Sequence, residues 1–477
     1  MTRGGPRHQL AIVVCSLLAA FSLAATVSAQ DAAPVNEDDL FGSGDMVETI
    51  TESSQGSAVK DLLTTDTVRV GGSLTGTVTT TWQWNDPWSN GLTLSDSYGL
   101  TPELSALLFF DGRPSESTRF YGSVKSAWPF MAKTAVLDSS GTKTGDTVDV
   151  PNLQVFELFS DFSWNDSLYM RFGKQTINWG VGYFYSPANI MNLQQIDPTD
   201  PTAQLEGPVA LRAMVPIKGT QHNIWGYAVF DSATMKPEDT ALAAKAELVF
   251  GGWELGLGGY YKKDDPIRGM VTAVGSIRDI SLFGEATVSR GSSRTWVTEV
   301  TTDPLTNFIT TTTDDTSLFF KGTAGFRYSN STDNWSLLAQ YLYDGEGYSN
   351  TDREARIEEA YNNEDAIKAT LGPNADTLFS TFLKGLILNS GRHYAALSFS
   401  KSKFLTDDLT VSLFAMGNLS DFSVYIKPSL SYAFFDGLSM SLSPFFAFGF
   451  DSGEYVVLND GRAVGITVVM TLGSGSF

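Results

Sequence analysis

Apolar and polar residues alternate with a period of two along most of this chain, and the charged residues keep to one phase of that alternation. Leu168, Met170 and Phe172 alternate with Tyr169, Arg171 and Gly173; Val209, Leu211, Ala213 and Val215 alternate with Ala210, Arg212 and Met214. Successive side chains of a β-strand point to opposite faces, so each run is a strand with one apolar face and one face that carries an arginine. Lys125, Glu157, Asp161, Glu285, Lys321 and Arg327 likewise sit opposite the apolar face of their strands, as do Arg69, Lys245, Glu247, Glu254 and Lys427. A charge facing lipid near the bilayer midplane costs roughly 2–4 kcal/mol. A chain that respects this phase in strand after strand is patterned for a sheet with lipid on one side and water on the other. A soluble sandwich alternates too, but it would need a second sheet to cover so aromatic a face.

Such runs recur about eighteen times between Val68 and Leu472, an even number as in bacterial outer-membrane barrels. Connections after Trp164, Phe250, Ile277, Tyr328 and Phe434 are short, with Asn165-Asp166, Gly251-Gly252 and Arg278-Asp279 as turn residues. Asp111-Gly112-Arg113-Pro114 reads as another tight turn after Phe110. Connections after Trp82, Trp128, Gln175, Phe230, Tyr261, Val288, Tyr343 and Phe450 are mostly longer. Short periplasmic turns and long outer loops are what a barrel of this type shows. The expected fold is all-β, a transmembrane antiparallel up-and-down β-barrel over residues 66–477, with a helical insertion in one outer loop. There, Asp352–Tyr361 and Thr377–Ile387 carry helical spacing on either side of Leu371-Gly372-Pro373-Asn374.

The start of the chain reads differently. Arg3 and Arg7, an apolar run from Leu10 to Ala25, and Val27-Ser28-Ala29 form a secretory signal peptide over residues 1–29. Residues 30–65 are acidic and weakly patterned, and read as a periplasmic N-terminal segment. Cys15, the single cysteine, lies in the signal peptide, so the exported chain is expected to have no disulfide or thiol chemistry. Beyond it no apolar stretch is long enough for a transmembrane helix. The 53 acidic residues outnumber 32 basic ones, a net charge of −21, which argues against nucleic acid as a partner.

Motifs for catalysis are missing. There is no G-x-S-x-G and no H-E-x-x-H. His222 and His393 lack metal-ligand spacing, and Asp197-Pro198-Thr199-Asp200 lacks the acid count and glycine of a calcium loop. No cofactor, metal or enzymatic activity is expected. The candidate site residues are those of a lumen, which Lys125, Glu157, Asp161, Arg171, Arg212, Glu285, Lys321 and Arg327 are expected to line. The connection Thr176–Pro208 carries Trp179, Tyr183, Phe184, Tyr185, Ile190 and Met191, too apolar for a tip in water. It is expected to fold inward as a constriction, with Trp179 buried and with Asp197, Asp200 and Glu206 placing negative charge opposite Arg171 and Arg212.

Gly173-Lys174-Gln175, Trp179-Gly180, Asp197-Pro198-Thr199-Asp200 and the return Gly207, Leu211-Arg212, Pro216 form a pattern of their own. It resembles a group of largely uncharacterised bacterial outer-membrane barrels with a G-[RK]-Q-x-x-x-W-G…P-x-D…G segment. The acidic Asp39-Leu40-Phe41-Gly42 start is similar to that of exported spirochaetal barrels. The resemblance implies a porin-like barrel in the outer membrane and names no substrate. Phe477 resembles the terminal aromatic residue that barrel assembly machinery reads, but it departs from the pattern by falling out of phase with Val464, Ile466, Val468 and Met470.

The expected function is a passive outer-membrane channel for small hydrophilic solutes with a modest cation preference. Outer-membrane lipid and the barrel assembly machinery are its expected partners. The alternative is a barrel whose outer loops bind a surface ligand or partner, with little conduction.

Overall fold

The computed structural model describes residues 64–476, apart from 66–67, 93–97, 138–142, 166, 194, 202, 204, 232–233, 235 and 436. The signal peptide, nearly all of the N-terminal segment and Phe477 therefore lie outside the described residues.

Eighteen strands close into one antiparallel barrel. A two-residue strand, β1 (Thr64–Thr65), first pairs back on the barrel's opening strand. The wall then runs through β2 (Val68–Asn85), β3 (Tyr98–Ser115), β4 (Thr118–Leu137), β5 (Lys143–Trp164), β6 (Leu168–Lys174) and β7 (Val209–Pro216). It continues through β8 (Asn223–Val229), β9 (Ala241–Phe250), β10 (Trp253–Tyr261), β11 (Ile267–Ile277) and β12 (Ile280–Arg290). A small hairpin, β13 (Trp296–Val300) and β14 (Ile309–Thr312), stands in the next loop. The wall ends with β15 (Leu318–Asn330), β16 (Trp335–Asp344), β17 (His393–Lys401), β18 (Leu409–Asn418), β19 (Ser423–Phe435), β20 (Leu438–Phe448) and β21 (Ala463–Ser476). β2 pairs with β3 on one side and with β21 on the other, so no edge is left open. Full closure is what lets every backbone N–H and C=O find a partner without water.

The expected alternation of connections is present except after Met416, where β18 and β19 are joined by the short stretch Leu419–Phe422, the break in the pattern that the brief Gly417-Asn418-Leu419-Ser420 predicts. Every second connection is a short turn, as at Gly251-Gly252, where φ of 57° and 86° suits a two-residue hairpin and favours glycine at both positions. The long connections gather at the opposite end. The exterior is apolar: Leu100, Leu153, Phe172, Leu242, Leu257, Phe320 and Leu442 all stay exposed. Exposed aromatic residues mark both rims, Trp164, Phe250 and Phe435 at the short-turn end and Trp128, Phe130 and Tyr261 at the other.

Two local expectations differ. Asp111-Gly112-Arg113-Pro114 is not a turn; β3 runs on to Ser115 with a bulge in this stretch. The inward Asp111 carboxylate binds Arg119 of β4 at 2.9 Å, which holds the segment in the sheet. On β5, the sequence alternation expects Phe156 with Leu158, Phe162 and Trp164 on the apolar face, opposite Glu157 and Asp161, but Phe156 does not join Leu158 on the exterior. Ser123 pairs with Glu157 and Val124 with Val155, so Phe156 is the extra residue of a bulge and is buried.

The loops after β12, β16 and β20 pack together above the long-loop end. The β16–β17 connection holds helices Asn350–Asn362 and Ala375–Ile387, as the spacing predicts, with a further helix Glu364–Leu371 between them. Val300, Phe308, Ile357, Ile367, Phe379, Leu383, Ile387 and Val457 form a hydrophobic core for this cap. Beneath it Glu454 is buried and accepts hydrogen bonds from Asn389 N at 2.7 Å, Tyr394 Oη at 2.8 Å and Asn418 Nδ2 at 2.7 Å. Burial pushes its carboxyl above the usual range, against the pull of those donors.

Candidate functional site: the lumen and its inward loop

Register fixes which side chains face inward. Across β3 to β7, cross-strand partners link Asp111 to Tyr121, Arg119 to Asp161, Asp161 to Arg171, and Arg171 to Arg212. Across β12 to β16 they link Glu285 to Thr323, Lys321 to Asp344, and Arg327 to Leu338. Directly paired residues share a face, so within each of these two groups of strands the charged residues fall on one side of the sheet. Lys125 pairs with Leu107 and Gln154 in the same phase.

The charges near the short-turn end are paired laterally rather than across the lumen. Arg171 Nε donates to Asp161 Oδ1 at 2.6 Å, with its guanidinium 3.7 Å from the Phe159 ring centroid. Arg119 bridges Asp111 at 2.9 Å and approaches Asp161 at 3.8 Å. Arg212 lies over the Trp225 ring at 5.3 Å, and Trp225 Nε1 donates to Glu247 at 2.6 Å. Arg113, Arg119, Asp161, Arg171, Arg212 and Trp225 line a cavity of about 730 Å³. Lys321, near the other end, binds Glu346 at 2.7 Å and Asp344 at 3.3 Å.

The connection between β6 and β7 enters the barrel. Its ends are drawn together where Gln175 N donates to Pro208 O at 3.0 Å and the buried Gln175 Nε2 to Ala210 O at 2.9 Å. Trp179 is 1% exposed and packs edge-on to Tyr227 of β8 at 5.3 Å. Further along, Tyr183 meets Phe283 of β12 at 5.0 Å, Phe184 meets Phe414 of β18 at 5.8 Å, and Tyr185 meets Tyr394 of β17 at 6.1 Å. The loop therefore packs on inward side chains of β8, β12, β17 and β18. Burying a side chain such as Trp179 or Phe184 stabilises by roughly 1.5–3 kcal/mol, which holds the loop against the wall.

An irregular segment must still satisfy its backbone donors. Here side chains do so. Thr176 N donates to Glu157 at 3.2 Å, Ile177 N to Asn192 at 2.9 Å, and Trp179 N and Gly180 N to Asn189 at 2.8 and 3.1 Å. Val181 N donates to Glu285 at 2.7 Å, and Phe184 N to Gln340 at 2.8 Å. Glu285 is thus covered by the loop, at 4% exposure. Asp197 and Asp200 form an exposed turn in which Asp197 Oδ1 accepts from Thr199 N at 2.8 Å. Glu206 is bonded to the Lys174 ammonium and accepts from Gln154 Nε2 at 3.2 Å; the lysine holds its carboxyl below the usual range. Sequence reasoning missed Gln340, Asn189 and Arg119. The glycines of Trp179-Gly-Val-Gly182 were the available sign that this backbone approaches other groups closely. Among the described residues no cluster of His, Cys, Asp and Glu could hold a metal ion.

A closed antiparallel barrel, apolar outside and polar within, is an integral outer-membrane β-barrel of porin-like form. No family model and no curated protein matches the chain. Solved structures do. OccK8 (OprE) of Pseudomonas aeruginosa is 11% identical at a TM-score of 0.42, over 86% of this chain and 98% of that one. OccAB1 of Acinetobacter baumannii is 12% identical at 0.43, over 86% and 97%. A loop L8 deletion mutant of OmpT, an outer membrane protein of Vibrio cholerae, is 9% identical at 0.37, over 86% and 100%. The fold assignment itself rests on the strand ladder of this chain.

Proposed function

We propose that the protein is an outer-membrane channel for passive diffusion of small hydrophilic solutes, constricted by the Thr176–Pro208 loop. The observation that carries this reading is that the loop packs on inward side chains of β8, β12, β17 and β18, where it would narrow the lumen. Lys125, Glu157, Asp161, Arg171, Arg212, Lys321 and Arg327 line the lumen on this reading, and Glu285 serves it from beneath the loop. A modest cation preference fits the acidic chain, with Asp197 and Asp200 exposed on the loop. It stays modest because Arg119 and Arg171 share the interior with Asp111 and Asp161. Kinship with the G-[RK]-Q barrel group and insertion by the barrel assembly machinery belong to the same proposal.

Refolded protein in planar bilayers tests it. Discrete conductance steps, with a reversal potential displaced slightly toward cation selectivity in a salt gradient, are expected. A properly folded barrel that passes no current removes the channel reading. The cap favours a second reading, in which the outer loops bind a surface ligand, because it has a hydrophobic core of its own. Either reading places the cap outside the cell. A cysteine at Asn362 should label on intact cells, and one at Thr332, in the β15–β16 turn, should not.

A further inference from the structure

Two wall side chains do something other than line a lumen. Glu285 on β12 and Gln340 on β16 are 4% and 3% exposed, although both point inward. Glu285 accepts from Val181 N at 2.7 Å through one oxygen and from Ala188 N at 3.3 Å through the other. Gln340 Oε1 accepts from Tyr183 N at 3.1 Å and Phe184 N at 2.8 Å, while its Nε2 donates to Tyr185 O at 2.6 Å. One short stretch of loop is thus held at both ends and in its middle by two side chains from the wall.

The loop is shaped to accept them. A Cβ on Gly180 would lie 2.6 Å from Glu285 Oε2 and 1.7 Å from Ser186 Oγ. A Cβ on Gly182 would lie 2.8 Å from Gln340 Nε2 and 2.0 Å from Tyr185 O. Neither position has room for a side chain, so the two glycines and the two wall residues form a matched set. The charge on Glu285 makes its bonds to backbone N–H groups stronger than neutral ones. Thr323 Oγ1, which accepts from Gln340 Nε2 at 2.7 Å, orients the amide from behind.

We propose that Glu285 and Gln340 are positioning residues that clasp Val181–Ala188 to the wall and so set the aperture of the channel. This rests on the loop being the constriction. Freed from the clasps, the loop keeps its ends but moves across the lumen on the timescale of the current.

Single-channel recording of the full-length chain tests the proposal, with heat-modifiable migration as the check on folding. Glu285→Ala and Gln340→Ala should raise open-channel current noise and mean conductance by about twofold, as expected when a pore-lining element is released. Gly182→Ala should do the same, since its methyl has no room against Tyr185 O and Gln340 Nε2, and it leaves the residues of the wall unchanged. Glu285→Gln should give noise with near-native mean conductance, because it keeps the shape and one acceptor but turns a donor toward an N–H. Ser281→Ala, on the same face of β12, should change nothing. Native noise and conductance in folded Glu285→Ala and Gln340→Ala, with Ser186–Leu205 deletion still enlarging the pore, would overturn the clasp alone. Unchanged conductance in the deletion would instead remove the constriction on which it rests. If the alanine variants do not assemble, Glu285→Gln and Gly182→Ala decide by the same noise criterion. Failure of all four to assemble would make the pair part of the barrel's fold and overturn the proposal too.

Discussion

The inner wall has two regions built from different chemistry. From β3 to β12 it carries acids and bases, and the inward loop covers it at Glu157, Tyr227 and Glu285. From β18 to β21 it carries Thr410, Ser412, Ser429, Ser431, Ser439, Ser441, Ser443, Thr467 and Thr471, with Lys427 the one charged inward position among the described residues. Hydroxyls bind water and one another, as Ser429 and Ser443 do at 2.8 Å, and need no partner of opposite charge. The charged region is held in order by pairs such as Arg171–Asp161. The difference teaches that an inward charge and an exposed field are separate things. A laterally paired charge does little at a distance, whereas one added at Ser441 would face only Ser431 and Val469 as cross-strand partners.

The largest effect should come from removing the cover of the charged region. Deleting Ser186–Leu205 should enlarge conductance several-fold and weaken selectivity, read from single-channel steps and reversal potentials. An unchanged step size in a folded deletion would place the loop away from the path. Next, Ser441→Glu should shift the reversal potential toward cations more than Asp161→Asn shifts it away. Equal shifts would mean that the two regions do not differ as described. Trp179→Ala should cost about 3–5 kcal/mol of loop packing by the usual measure for a buried tryptophan. Protease cleavage within 176–208 of the folded barrel should become detectable, while the barrel stays intact. The smallest effect concerns Glu206. Its carboxyl lies below the ordinary 4.5 because the Lys174 hydrogen bond favours the charged form. The stabilisation it gives is therefore present above that value and lost as pH falls through the lowered one. Acidification below about pH 4.5 should add a small increment of current noise, absent in Glu206→Gln.

Much of this was legible in the chain because alternation is a local property. The phase of Arg171, Glu285 or Lys427 can be read from its neighbours, and the lipid's penalty on misplaced charge makes that phase reliable. Turns such as Gly251-Gly252 are equally local. The bulge at Phe156 was not legible, since one added residue shows only when both strands are aligned. Asp111 was misread because Asp-Gly-Arg-Pro has turn chemistry, and its ion pair to Arg119 depends on the next strand. The inwardness of the loop could be expected from its apolar content. Its attachment could not, because Val181 and Glu285 are 104 residues apart, and Phe184 and Gln340 are 156 apart.

The pairing of β2 with β21 carries a consequence for biogenesis. The first and last strands share the seam, so the ladder there cannot form until the whole chain has been delivered. Until then two long edges stand unpaired, each able to template wrong association. The covalent break need not be at that seam, however. A circular permutant opened in the Asn330–Trp335 turn and linked across the old ends would keep the same eighteen strands. It would move only the place where the last ladder closes, so its kinetics of membrane insertion, set against those of the native order, would report which seam is hardest to complete.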